Sequence, residues 1–184
     1  VTCGRCRTAH LPPVGHHWCI EQIPLIVTRE AVPTDFDRYF DEGFAALGSE
    51  SRMMRFFTPV HDLPESIRHR LRETDGYVNA AVIAFDAAVR DEQHPEGRPV
   101  GVARWMGNET GPSELAVTVI DDYHGKGVGS RLMDALMVLA RRRGLRRIIA
   151  DVLRENMAMR SLCNRHRAVV VPSGDARVVR YRID

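Results

Sequence analysis

The stretch His124-Gly125-Lys126-Gly127-Val128-Gly129 sets three glycines at alternate positions around the only lysine of the chain. It stands between an apolar strand-like run and a long helical one. Glycine is unfavourable at the start of a helix unless the backbone must take a positive φ or admit a close neighbour. A glycine-lined turn at a helix N-terminus presents unpaired N–H groups and the positive end of the helix dipole, a pocket for phosphate oxygens. The chemistry this spacing points to is therefore anion binding, against the plainer alternative of a tight strand-to-helix connection. Other phosphate motifs fit poorly. A Walker loop needs Gly-Lys-Ser/Thr after a longer loop, and a dinucleotide fingerprint needs G-x-G-x-x-G, whereas Gly125, Gly127 and Gly129 run G-x-G-x-G.

Such a turn needs elements on both sides to hold it. SELAVTVIDDY (113–123) predicts a strand whose Leu115, Val117 and Val119 alternate with Ala116, Thr118 and Ile120; with both faces largely uncharged, it is central. SRLMDALMVLARRRG predicts the following helix, with Leu132, Leu136 and Leu139 in an apolar stripe, Arg141 to Arg143 in its last turn and Gly144 as its C-cap. Before these lie a strand at 23–30, a helix led by Pro33-Thr34-Asp35, short helices in SESRMMRFF and LPESIRHRLRE, and paired strands at 76–87 and 99–107. After them come a strand at 145–153, a helix in ENMAMRSLCNRHR, and a hairpin of AVVV and ARVVRYRI across Pro172-Ser173-Gly174. Strands and helices alternate throughout, without internal repeats.

The 184 residues suit one domain with a core, here 23–184, preceded by an N-terminal extension over 1–22. At 44% hydrophobic and 27% charged residues, the composition is that of a folded globular chain, not a disordered or fibrous one. Net charge is only +2, and basic residues do not interleave with aromatics along one stretch, so no nucleic-acid partner is expected. No window approaches a membrane span and no signal peptide is evident, which makes the cytoplasm the expected location. Cys3, Cys6, His10, His16, His17 and Cys19 hold enough thiolate and imidazole for a zinc site, but their spacing is irregular and Pro12-Pro13 interrupts it, so no metal is assigned.

From His124 to Gly129 the sequence resembles the GNAT N-acetyltransferases, whose signature is Gln/Arg-x-x-Gly-x-Gly/Ala, with His124 standing where Gln or Arg is usual. ENMAMRSLCNRHRA is similar to the family's later E-N-x-x-x-x-x-L-Y helix, with Leu162-Cys163 in place of L-Y, and Arg167-Ala168 replaces a Gly-Phe that usually follows. The element order from residue 23 on matches that fold. The resemblance thus implies an α/β (α+β) GNAT fold: a central mixed, mostly antiparallel sheet flanked by helices, with a glycine-rich strand-to-helix cofactor loop. ESRMMRFFTP and SELAVTVIDDYHGKGVG are together similar to bacterial protein lysine acetyltransferases, including those acting on acyl-CoA synthetases and those fused to cyclic-nucleotide domains. No such regulatory domain fits within this sequence.

The resemblance implies acetyl-CoA as cosubstrate. Backbone N–H groups of Gly125, Lys126, Gly127, Val128, Gly129 and Ser130, after His124, would hold its pyrophosphate, with Lys126 adding charge near a phosphate. The Val117 to Val119 strand edge would pair with the pantetheine arm as an added strand. Asn156 matches the family asparagine that bonds pantetheine, or caps the helix after it, and Arg160 could reach a phosphate. Glu114 is the chosen general base: it begins the central strand, at an acidic position used by the lysine-acetylating relatives, and partial screening from water could raise its pKa. Glu109 and the Asp121-Asp122 pair are alternatives to it. The departing thiolate takes a proton from Cys163 or water, or leaves without one; Cys163 also reads as a small buried residue.

Arg52 and Arg55 flank Met53-Met54 in a segment that would overhang the acceptor groove, and with Phe56-Phe57 they could position an acidic or aromatic substrate element, although Met and Phe at this spacing also suit a core. Acetyl transfer to a protein lysine, with an acyl-CoA synthetase as candidate acceptor, is the expected activity. Transfer to a small amine and a non-catalytic acyl-CoA-binding sensor are the alternatives.

Overall fold

The computed structural model describes residues 24–107 and 112–184. The N-terminal cysteine and histidine strip, the 22/23 boundary, Ile23 and Glu109 lie outside them. In chain order the elements begin with β1 (Ile26–Glu30), α1 (Pro33–Ala45), α2 (Ser49–Phe56), α3 (Glu65–Arg72), β2 (Asn79–Asp86) and β3 (Arg98–Met106). They continue with β4 (Ser113–Val119), a 3-10 turn (Asp121–Tyr123), α4 (Val128–Arg142), β5 (Ile148–Leu153), α5 (Met157–Arg165), β6 (Val169–Val171) and β7 (Val178–Ile183).

All seven strands form one mixed sheet in the order β1-β2-β3-β4-β5-β7-β6. β4 and β5 run parallel, and every other neighbouring pair is antiparallel. Strand parity assigns side chains to two layers. Ala80, Val82, Ala84, Ala103, Trp105 and Leu115 pack with α4 in the larger core, whereas Ala81, Ile83 and Phe85 pack with Phe36 and Tyr39 of α1. β2 is buried along almost its whole length because helices cover both faces, which is why it reads as an unbroken apolar run.

α4 lies on the sheet through Leu132, Met133 and Leu136, each fully buried. Burying a side chain of that size contributes roughly 1.5–3 kcal/mol relative to leaving it in water. Its C-terminus closes as the sequence predicts: Gly144 takes φ +74°, its N–H reaches the Arg141 carbonyl, and the Leu145 N–H reaches that of Ala140. At the start of α1, Pro33 occupies the first turn and Asp35 reaches back to accept the Val32 N–H at 2.8 Å.

Several boundaries differ from the sequence expectation by one to four residues, and two of them bear on the site. The central strand ends at Val119, not Tyr123, because the Ile120 N–H bonds the Val100 carbonyl and the next three residues coil into the 3-10 turn. α4 begins at Val128, two residues before Ser130, since Gly127 already serves as its N-cap.

Candidate active site

Gly125 and Gly127 hold φ values of +71° and +78°, left-handed conformations that a Cβ would strain. A Cβ at either would meet nothing within 4 Å, so glycine is required by the backbone, and the space beside the turn is open. Gly129 serves differently: a Cβ there would meet Leu162 Cδ1 at 3.3 Å, which lets α4 start close against α5. Gly127, the N-cap of α4, has no side chain to cap the helix, so the first-turn N–H groups face the space before them without an N-cap side chain on them. The His124 Nε2 lies 2.8 Å from the Val119 carbonyl oxygen. A carbonyl only accepts, so this nitrogen carries the proton and the ring ties the turn back to the end of β4.

β4 and β5 part immediately below this turn. Only Ser113 and Glu114 of β4 are in register with β5, opposite Ile148 and Ile149. From Leu115 to Val119 the β4 edge facing β5 has no strand partner among the described residues, although its other edge pairs fully with β3. The parted strands open a cleft of about 710 Å³, walled by β4, the glycine turn, the start of α5 and the overhanging α2. Val117, Val119, His124, Gly125, Gly127, Val128, Gly129, Ser130 and Asn156 line it, and so does Glu114. An open strand edge ending at a bouquet of amides accepts an extended amide-bearing chain with a phosphate at its end.

Glu114 sits at the floor of the split, opposite Met106 on β3. Its side chain is exposed, where the sequence suggested partial screening. Two guanidinium groups flank it electrostatically. Burial pushes Arg55 of α2 down and the Glu114 charge draws it back up. Arg180 of β7 is held up chiefly by its two 2.7 Å bonds to Asp151, with Glu114 a lesser contributor. Glu50, Asp151 and Glu155 also face the cleft, which gives it an acidic rim suited to an ammonium group.

The other residues named from sequence fall outside the cleft wall or have further tasks. The Lys126 ammonium lies 5.5 Å from the centre of the Tyr123 ring, and Lys126 is not among the residues that line the cleft. Arg160 turns to the β5–α5 connection and to β7: Nη1 donates to the Arg154 carbonyl at 2.9 Å and Nε reaches the Tyr181 hydroxyl at 3.4 Å. Asn156 Oδ1 accepts the Met159 N–H at 3.0 Å, capping α5 while its residue lines the cleft. Cys163 is fully buried in the larger core, and burial pushes its thiol up to about 11.

Two arrangements were not readable from the sequence. Asp121, an alternative base in sequence terms, accepts the Gly48 N–H and the Ser51 hydroxyl and so caps α2. Tyr123 turns inward to donate to Asp86 Oδ2 at 2.8 Å; burial first, then that carboxylate, pushes its phenol up to about 12. Both contacts pin the entry to the glycine turn, and both join residues far apart in the chain. Among the described residues no helix is long and apolar enough to cross a membrane, and no group of three or more His, Cys, Asp or Glu could hold a metal.

Comparison with known proteins agrees with this geometry. The sequence profile of the Acetyltransferase (GNAT) family matches residues 51–167. Acetyltransferase Pat of Mycolicibacterium smegmatis is 34% identical over 158 residues, covering 85% of this chain and 44% of that protein. Acetyltransferase PA5475 of Pseudomonas aeruginosa is 32% identical over 120 residues, covering 64% of this chain and 61% of that protein. The chain thus spans less than two thirds of the length of either relative. Among solved structures, the GNAT domain of S. lividans PAT superposes with a TM-score of 0.71 at 25% identity, covering 85% of this chain and 89% of that one.

Proposed function

Because the chain belongs to the acetyltransferase (GNAT) family, whose members use acetyl-CoA, we propose that it transfers the acetyl group of acetyl-CoA to the side-chain amine of a protein lysine, with acyl-CoA synthetases as the acceptor class to test first. The observation that carries this reading is the β4 edge from Leu115 to Val119, open to β5 beside a turn of uncapped amides and above Glu114. The open edge would hold the pantetheine amides, the amides of Gly125 to Ser130 would hold the pyrophosphate, and Asn156 would support the arm from the other wall. The amine acceptor enters past the acidic rim.

Only a neutral amine attacks a thioester, so an ammonium must first lose a proton. Glu114 takes it, directly or through water. The nitrogen then bonds the carbonyl carbon, the C–S bond breaks, and coenzyme A leaves as a thiolate, which takes up through water the second proton that the nitrogen sheds in becoming an amide. With an intrinsic thiol pKa of about 8.5, the leaving group needs little help. A cytoplasmic location is part of the same proposal. The names of the relatives, acetyltransferase Pat and the GNAT domain of S. lividans PAT, support the acetyl-transfer part of this reading.

Incubation with radiolabelled acetyl-CoA, a panel of acyl-CoA synthetases and a panel of small amines tests it. Label in lysines of a protein acceptor is the expected result. Label confined to small amines shifts the acceptor to that class, and absence of label from every acceptor despite acetyl-CoA binding leaves a sensor module.

A further inference from the structure

On the face of the sheet away from α4, beneath α1 and α2, lies a second cavity of about 110 Å³. Arg55, Ala116 and Thr118 line both this cavity and the cleft, so the two spaces share a wall at the open stretch of β4. Gly43 and Ala116 leave the room, and Phe36, Phe44 and Phe56 supply much of the apolar lining.

Arg104 rises from β3 into this apolar space, directly opposite Ala116 in register. It is only 3% exposed. Nη1 donates to the Leu71 carbonyl at 2.7 Å, Nη2 reaches the Glu73 carbonyl only at 3.5 Å, and Nε is buried with no hydrogen-bond partner. The ring of Phe36 lies 5.1 Å from its guanidinium carbon. Asp35 also lines the cavity, but its carboxylate is occupied by Arg29 at 2.7 and 2.8 Å and by the Val32 N–H. Burial pushes Arg104 down to about 10, and the charges of Arg55 and Arg70 push it the same way. A buried guanidinium is ordinarily matched by an anion. Here, among the described residues, the ion pairs leave Arg104 with carbonyl dipoles and a ring face, and with a second guanidinium, that of Arg55, across the same cavity.

We propose that this inner cavity is a carboxylate subsite, taking the terminal carboxylate of a short dicarboxylic acyl group carried on coenzyme A. The inference rests on the reading that the cleft holds an acyl-CoA. Planar guanidinium forks match a carboxylate in two-bonded fashion, the aromatic walls suit one or two methylenes, and the shared wall at Ala116 and Thr118 opens toward the strand edge assigned to the pantetheine arm. Transfer then follows the same displacement: the amine nitrogen bonds the thioester carbonyl carbon, the C–S bond breaks, the amine proton passes to the base, and the acceptor gains an amide bearing a new carboxylate. A small unattached carboxylate offers the same chemistry to the two arginines.

Calorimetric titration of the whole chain with coenzyme A, acetyl-CoA, succinyl-CoA and succinate, for the wild type and Arg104→Met, separates these sources. Succinyl-CoA is expected to bind about tenfold more tightly than acetyl-CoA, as one charge-assisted pair would give. Arg104→Met removes that preference and leaves coenzyme A binding unchanged. Should succinate itself bind beside acetyl-CoA and be lost in Arg104→Met, the subsite stands with an unattached carboxylate as occupant. Gly43→Leu is a second variant: it fills the cavity from α1, where an added Cβ meets nothing within 4 Å, and is expected to abolish the same preference. Equal affinity for acetyl-CoA and succinyl-CoA, with no succinate binding, overturns the proposal. If coenzyme A itself does not bind, the acyl-transfer reading fails, and the succinate arm alone decides the subsite.

Discussion

Ser51 donates its hydroxyl to Asp121 Oδ1 at 2.6 Å, joining residues 70 positions apart. The other carboxylate oxygen accepts the Gly48 N–H at 3.1 Å, so the N-terminus of α2 is capped by the turn that leads into the glycine loop. This strap fixes α2, and Arg55 on it, over the floor of the cleft. Asp121→Ala removes a cap worth about 1 kcal/mol, which for a chain of this length lowers Tm by about 2–4 °C. It should also raise KM for the amine acceptor more than it weakens acetyl-CoA binding. Thermal melts together with separate titrations of the two substrates check this; equal losses for both would place the effect of Asp121 on the loop instead of on α2.

The two positive-φ glycines make a different prediction. Gly127→Ala introduces a Cβ into open space but into a left-handed backbone, at a cost of roughly 1–2 kcal/mol. The chain can relieve that strain by bending the turn away from its present path, so coenzyme A affinity should fall along with Tm. Gly129→Ala, by contrast, presses on Leu162 Cδ1 at 3.3 Å in an ordinary helical conformation. Its larger effect should be on how α4 meets α5. Calorimetry and melting curves for the two variants, compared side by side, distinguish a conformational requirement from a packing one.

Much of the scaffold could be read from sequence because the signals are local. The alternation in β4, the stripe of Leu132, Leu136 and Leu139, and Gly144 as terminator each depend on neighbours within a few residues. The glycine turn is equally local, and its residues line the cleft from His124 to Ser130 apart from Lys126. What was not legible depends on distant pairing. Nothing near Ser113 announces that β5 follows β4 for only two residues. Nothing near Asp121 indicates a partner at Gly48. Arg104 sits in a run that reads as an ordinary strand, and its enclosure follows only from the packing of α1, α2 and α3 over that face. Arg160 shows the converse limit: helical spacing put it one turn from Asn156, but its guanidinium turns to the Arg154 carbonyl.

His94 provides a test of stability against pH. It joins the loop before β3 to α1, with Nε2 2.8 Å from Glu42 and Nδ1 3.0 Å from Asp91. Burial draws the imidazolium down, but hydrogen bonds to Glu42 and Asp91, helped by their charges, outweigh it and the net shift is upward. A group raised in the folded state stabilises fully below its unfolded value near 6.5 and loses that contribution as pH rises through the folded value. The Tm gap between wild type and His94→Asn should therefore be wider at about pH 6 than at about pH 9. A gap that is constant or widens toward alkaline pH would show that His94 acts through packing on Tyr39, whose ring it stacks against at 5.9 Å.

Glu114→Gln is the sharpest test of the chemistry assigned to the floor of the cleft. The change keeps shape and hydrogen bonding at an exposed position, so stability should move by no more than about 0.5 kcal/mol. Removal of the general base should lower kcat/KM by about 10²- to 10⁴-fold, with the affinity for acetyl-CoA retained because the phosphate turn and the open β4 edge are untouched. The neutral side chain also takes a negative charge away from Arg55 and Arg180, so a modest loss of acceptor affinity should accompany the loss of rate. An acceptor ammonium arriving at the acidic rim still finds Glu50, Asp151 and Glu155, which keeps that second effect small beside the first. Single-turnover kinetics with saturating acceptor separates them. Turnover at the wild-type rate would remove Glu114 from the reaction and leave solvent water as the proton acceptor.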